Sequence, residues 1–176
     1  KIVIGPVFNE NLIYLDELSE LIFLSLTNKN NNRSKNIINV GINATSQLNA
    51  IKKFIELKEI KKTIFLTPDV NYKDEIEQAI SFSKIKIIKN HIYNTDPTQL
   101  TKQIELITEY EKRKQNLEDE VKRLEKSDEI NKEKLIEKFK KNDTLGDVNF
   151  DSIIIADFDE SLKSVTTSLL YTDISP

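Results

Sequence analysis

The chain contains no cysteine, which removes disulfides, thiolate metal sites and cysteine nucleophiles. Its single histidine, His91, cannot make a His-rich metal cage. Methionine and tryptophan are also absent while Lys, Asn and Ile abound, which is the stamp of an AT-rich coding bias and not of a function. No apolar run is long enough to span a bilayer. The formal net charge of −3 gives no basic excess, so neither nucleic-acid binding nor polybasic membrane attachment is expected. Gly5 and Gly41 are isolated and belong to no GxGxxG or P-loop pattern, and no nucleophile elbow occurs. A cofactor, a metal and catalysis are therefore all unexpected.

What the chain does have is order. Its 176 residues suit one domain or two small lobes, with 38% hydrophobic and 31% charged content. Lys1–Pro6 opens in a strand pattern without an initiator Met or signal peptide, which suggests a fragment of a longer protein truncated at both ends. Short β-branched runs at Ile2–Ile4, Ile22–Ser25, Ile37–Val40, Thr63–Leu66, Ile85–Tyr93 and Ser152–Ala156 read as strands. Between them lie helical patterns. Leu12, Leu15, Leu18 and Leu21 recur at threes behind a cap at Asn9 or Asn11. Thr45 or Ser46 caps a helix with Leu48, Ile51, Phe54 and Ile55; Asp69 or Asn71 begins one with Ile76, Ala79, Ile80 and Phe82. Asp96-Pro97 gives a cap followed by proline, and Leu162, Val165, Leu169 and Leu170 mark a last helix. The polar stretch from Asn28 to Lys35 reads as a loop. Repeated strand–helix units predict an α/β fold of parallel sheets flanked by helices, with ligands at the carboxyl ends of the strands.

One region departs from this rhythm. From Pro97 to about Lys141 there is no strand signal. Ile107, Tyr110, Lys114, Leu117, Val121 and Leu124 make a coiled-coil-like stripe with one charged interruption, and Ile130, Leu135, Ile136 and Phe139 supply a second face. The pattern predicts a charged helical hairpin inserted at about 103–145, with supporting pairs such as Glu111–Lys114 and Glu118–Lys122. Its apolar stripe must pack on its own second arm, on the lobe or on a partner.

Several segments together resemble a known family. Ile4-Gly5-Pro6-Val7-Phe8 looks like the ligand-lobe turn of type I periplasmic binding proteins, which include branched-chain amino acid receptors. Leu24–Asn28, Gly41–Gln47 and Leu66–Tyr72 follow in the matching order. The charged insertion, the Asp143–Asp151 stretch after it and the leucine-rich helix ending in Leu170–Pro176 are most similar to alphaproteobacterial penicillin-binding protein activators. The resemblance implies a periplasmic protein of two α/β lobes, often lipid-anchored through an N-terminal segment absent here. Residues 1–58 would be part of lobe one and 59–176 most of lobe two. It implies a non-catalytic regulator of peptidoglycan synthesis that contacts a penicillin-binding protein or another protein through the insertion. The alternative is an ABC-transporter receptor for an amino acid or amide.

By position, the resemblance makes Asn9, Asn11, Ser25, Thr27, Asn28 and Tyr72 the ligand-binding residues for an amino-acid-like molecule. Hydroxyls and helix-start N–H groups bind a carboxylate without burying a countercharge. The same Asn, Ser and Thr side chains also serve as ordinary helix and turn caps, the commoner use. Asn stands in the first loop where amino acid receptors favour Ser, which suits the activators better. Asp157, Asp159 and Glu160 follow a strand; Asp159 is expected to cap the next helix and the other two to be solvated. His91 has no Ser or Cys partner and is expected to be a surface or packed residue.

Overall fold

The computed structural model describes residues 1–15, 17–29 and 34–174. Residues 30–33 of the Asn28–Lys35 loop and the last two residues of the Leu170–Pro176 stretch lie outside the described residues. The fold is α/β, with two small parallel sheets flanked by helices. The chain divides into two compact units: Lys1–Lys58 with Asp74–Ile85, and Glu59–Lys73 with Lys86–Pro176.

In the first unit, β1 (Ile2–Ile4), β2 (Ile22–Ser25) and β3 (Ile37–Asn39) form a parallel sheet in the order β1-β2-β3. The leucine run before β2 is not an α-helix. Only Asn9–Tyr14 is helical, and it is a 3-10 helix. Beyond it, Leu15, Leu18 and Leu21 each donate a backbone N–H to the carbonyl three residues earlier. Leucines spaced strictly at threes match the 3.0-residue period of 3-10 turns. Leu12 packs with Phe23 and Ile37, against which Leu15 and Leu21 also lie, while Leu18 is exposed. Neither Asn9 nor Asn11 caps this turn, because the residue before it is Phe8 and no side chain bonds its end.

Helix α1 (Ala44–Leu57) starts two or three residues earlier than a cap at Thr45 or Ser46 would place it. Asn43 is its N-cap: Asn43 Oδ1 accepts from Ser46 N at 2.9 Å, and Ser46 Oγ accepts from Asn43 N at 3.0 Å, a reciprocal capping box. Leu48 and Ile55 face the core; Phe54 and Leu57 are exposed. Helix α2 (Lys73–Ser83) begins two residues after Asn71 and buries Ala79 and Ser83, while Phe82 is exposed. Its residues from Asp74 on group with the first unit, whereas a division at 58 had left them in the second. Lys52 Nζ on α1 donates to the Ser83 carbonyl at 3.3 Å, which ties the two helices together. Lys84 ends α2 at φ 52°, in the left-handed region that favours glycine. Lys84→Gly is expected to raise stability by about 0.5–1 kcal/mol, read from the urea midpoint.

In the second unit, β4 (Thr63–Pro68) lies at the centre of the sheet β5-β4-β6, between β5 (Lys89–Tyr93) and β6 (Ser152–Ile155). Every residue of β4 is buried, as a strand between two parallel neighbours and covered on both faces must be. The strand after α2 is shorter than Ile85–Tyr93, since pairing with β4 starts only at Lys89. Helix α3 (Pro97–Ile107) has Asp96 as N-cap and Pro97 in the first turn, as the sequence pattern predicts. α4 (Tyr110–Glu125), α5 (Lys132–Phe139) and α6 (Asp159–Tyr171) complete the unit. Ile64, Leu66, Tyr93, Leu100, Ile104, Phe150, Val165 and Leu169 form its core, which joins the sheet to α3 and α6.

Candidate functional site

Three side chains meet where β4, β5 and β6 end. Asp157 Oδ1 accepts from Tyr72 OH at 3.0 Å and from Phe158 N at 2.8 Å. Asp157 Oδ2 accepts a hydrogen bond from Tyr93 OH. The Tyr72 ring packs on Phe158, with centroids 5.4 Å apart at 34°. Asp157 is thus half-buried and held by two phenols, not solvated as the sequence pattern suggests. Asp159 does not cap α6 either. Phe158 is the N-cap and Asp159 sits in the first turn at φ 54°, a left-handed conformation that non-glycine residues adopt at some cost in energy. Glu160 is exposed and pairs with Lys163 at 2.5 Å.

Burial raises the pKa of both phenols, and the carboxylate beside them raises it further. The Tyr72 phenol is pushed up to about 12. Tyr93 is raised by the same causes, burial first. A folded-state pKa above the unfolded value of 10 means that the neutral phenol stabilises the fold fully below pH 10. For Tyr72 that contribution fades as pH rises from 10 towards 12. An alkaline titration of tyrosinate absorbance should show three of the five tyrosines ionising late: Tyr72 and Tyr93 of this cluster, and Tyr110, which burial and the neighbouring Tyr171 also raise. Ionisation of all five near pH 10 would mean that the cluster does not form in solution.

Asn9, Asn11, Ser25, Thr27 and Asn28 lie in the first unit. Ser25 is fully buried; its Oγ donates to the Pro6 carbonyl at 3.2 Å and accepts from Thr27 N at 3.3 Å. Thr27 Oγ1 accepts from Lys29 N at 3.2 Å. Both hydroxyls therefore serve the local turn. Asn9 Oδ1 is buried without a hydrogen-bond partner among the described residues, and Asn11 is exposed. Asn28 lines an open polar cleft of about 390 Å³ with Asn43, Thr45, Glu75, Gln78 and Phe82, at the carboxyl end of β2 and the start of α1. Tyr72 belongs to the second unit, in the cluster with Asp157. His91 is half-buried in a cleft of the second unit that Gln103, Glu109 and Asn149 also line. Burial and the neighbouring Lys89 lower its pKa.

The insertion is held by a residue the stripe did not include. Lys114 is exposed, and Arg113 beside it is buried, with 6% of its surface accessible. Arg113 Nε donates to the Gly146 carbonyl at 3.1 Å and Nη1 to the Thr172 carbonyl at 3.0 Å. Nη2 donates to Thr144 Oγ1 at 2.6 Å, and Thr144 in turn donates to Asp173 Oδ2 at 2.8 Å. Longer bonds reach the Thr108 and Asp173 carbonyls at 3.4 and 3.5 Å. Arg113 also accepts at its own carbonyl from Leu145 N, and Tyr110 packs on Tyr171 with centroids 5.3 Å apart. One guanidinium thereby joins the first turns of α4, the loop that returns to β6 and the end of α6. A clue was present: only Arg33, Arg113 and Arg123 are arginines among 26 basic residues, and a rigid five-donor fork is what such a junction requires.

Beyond this base the insertion is charged and exposed. Glu118–Lys122 pairs at 3.9 Å as the spacing predicts, and Arg123 bridges Glu120 and Glu129 at 2.8 and 3.1 Å. No ion pair joins Glu111 to Lys114 among the described residues; Lys112 pairs with Glu109 at 2.8 Å instead. Leu117, Val121 and Phe139 close the seam between α4 and α5 around a small groove. Among the described residues no helix is long and apolar enough to cross a membrane, and no group of three acidic or His side chains is placed for a metal. Comparison with protein-family models, curated proteins and solved structures returns no match.

Proposed function

We propose that the chain is a non-catalytic, periplasmic binding and regulatory module of the type I periplasmic-binding-protein kind, similar to penicillin-binding protein activators. In this reading α4 and α5 contact a penicillin-binding protein, and a lipid-anchored leader tethers the full-length protein. The observation that supports it is the anchored insertion. Arg113 fixes the base of α4 to the core while the outer faces of both helices stay exposed and carry charges of both signs. A pre-ordered helical projection meets a partner without the entropic cost of ordering a loose arm.

The test is a pull-down of a purified penicillin-binding protein with the wild-type chain and with an E118K/K122E double variant. Both positions are exposed, so the variant keeps the fold. Retention by the wild type and at least about tenfold weaker retention by the variant is expected, as rim charges on such surfaces set recognition. Equal retention of both removes α4 from the interface.

A second reading, an amino acid or amide receptor, draws on the Tyr72–Asp157–Tyr93 cluster at the carboxyl ends of parallel strands, where α/β sheets hold ligands. A carboxylate flanked by two phenols suits an ammonium or amide group. A thermal-shift screen against amino acids decides it, since a ligand at a hundred times its Kd stabilises by about 2.7 kcal/mol.

A further inference from the structure

We infer that α6 couples the strand-end cluster to the insertion, so that a change at Asp157 alters how firmly α4 is held. The inference rests on the reading of α4–α5 as a partner surface. α6 is one unbroken helix of 13 residues, about 20 Å long at 1.5 Å per residue. Its two ends carry the two features described above. At the entrance, Asp157 accepts from Phe158 N and both phenols, and Asp159 is left-handed at φ 54°. At the exit, Ile174 N donates to the Leu169 carbonyl and Asp173 N to the Leu170 carbonyl, both at 3.0 Å, which is a Schellman motif. The left-handed position of that motif is Asp173, at φ 61°, where glycine is usual. Its side chain accepts from Thr144, and its carbonyl and that of Thr172 accept from Arg113.

Both ends of α6 therefore hold an aspartate in a left-handed conformation that costs energy for a non-glycine residue. At the exit the insertion base holds Asp173 itself, and at the entrance the phenols hold Asp157, two residues before Asp159. Between them Val165 and Leu169 are packed in the core, and close-packed interiors pass displacements on instead of absorbing them. Tyr93 belongs to the same core cluster, so its hydroxyl on Asp157 and its ring against the helices move together. A ligand that takes Asp157 from the phenols releases the entrance of α6. The axial or rotational shift that follows is felt at Thr172 and Asp173, and so by Arg113.

Amide hydrogen exchange on the full chain tests this with Tyr93→Phe, which removes one hydroxyl and keeps the ring. Exchange at residues 110–116 and 144–146 is expected to quicken roughly fivefold, the low end of ordinary coupling between sites, while β4 amides are unchanged. Arg113→Lys should quicken exchange at 159–162 in return, because coupling is reciprocal. Faster exchange confined to residues near the substituted side chain, in both variants, overturns the coupling. If Tyr93→Phe loosens the whole core, Tyr72→Phe gives the same reading from a side chain outside the core cluster. The pull-down of the wild-type chain is independent of these variants, so coupling can fail while the partner surface stands, and the reverse.

Discussion

Arg113→Met is expected to lower the stability of the second unit by about 3–5 kcal/mol, the combined cost of leaving several buried acceptors without a donor. The size follows from what stays behind. The Gly146 and Thr172 carbonyls and the Thr144 hydroxyl lose their donor inside a packed joint. Each unsatisfied buried group costs about 1–3 kcal/mol, less where water can enter. Methionine restores the volume of the stem but supplies none of the five donors. Arg113→Lys keeps the charge and is expected to recover less than half of the loss, since an ammonium cannot span acceptors arranged around a planar fork. Chemical denaturation of the three proteins checks the order. If Arg113→Met costs less than about 1 kcal/mol, an ordinary surface effect, the joint is not formed as described.

The second large effect is in the first unit. A Cβ on Gly41 would lie 2.0 Å from the Thr27 carbonyl oxygen, 2.5 Å from its carbon and 2.7 Å from the Leu26 oxygen. All three atoms are backbone, so no rotamer change relieves the clash. The adjoining Val40 N–H donates to the Ser25 carbonyl at 2.8 Å, which holds the two segments at this distance. Gly41→Ala is therefore expected to cost more than about 4 kcal/mol, beyond the usual range for single substitutions, or to detach the Ser25–Asn28 turn altogether. Gly5 provides the contrast: it has open space around it and needs glycine only for its φ of 125°. Gly5→Ala should cost about 1–3 kcal/mol, that of backbone strain alone. Equal losses for the two variants, measured by the same denaturation, would contradict the close approach at Gly41.

Elements with purely local causes were legible in the sequence. The β-rich run of β4 announces a strand, and Asp96-Pro97 announces the start of α3, because strand propensity and helix capping act within a few residues. Leucines at threes over so short a run fit a helical face of either period, and the backbone bonds to the carbonyl three residues earlier make it 3.0 and not 3.6. Asn43 and Ser46, the two partners of the capping box, have equal local claims to the cap position, so the sequence alone does not separate them. The site was less legible, since its partners are far apart in the chain. Tyr72 meets Asp157 across 85 positions and Tyr93 meets it across 64, so nothing near Asp157 separates it from a solvated loop carboxylate. Arg113 and Lys114 are equivalent in a hydropathy pattern. Only the geometry of the acceptors at Gly146, Thr144 and Thr172 distinguishes a fork from a point charge.

The central claim is that α4 and α5 form the partner surface. Hydrogen exchange of the chain with and without a purified penicillin-binding protein tests it most directly. New protection confined to residues 114–138, with the carboxyl ends of the strands unchanged, is the result the account predicts. Protection at Tyr72, Tyr93 and Asp157 without any on α4 or α5, or no protection at saturating partner, would contradict it.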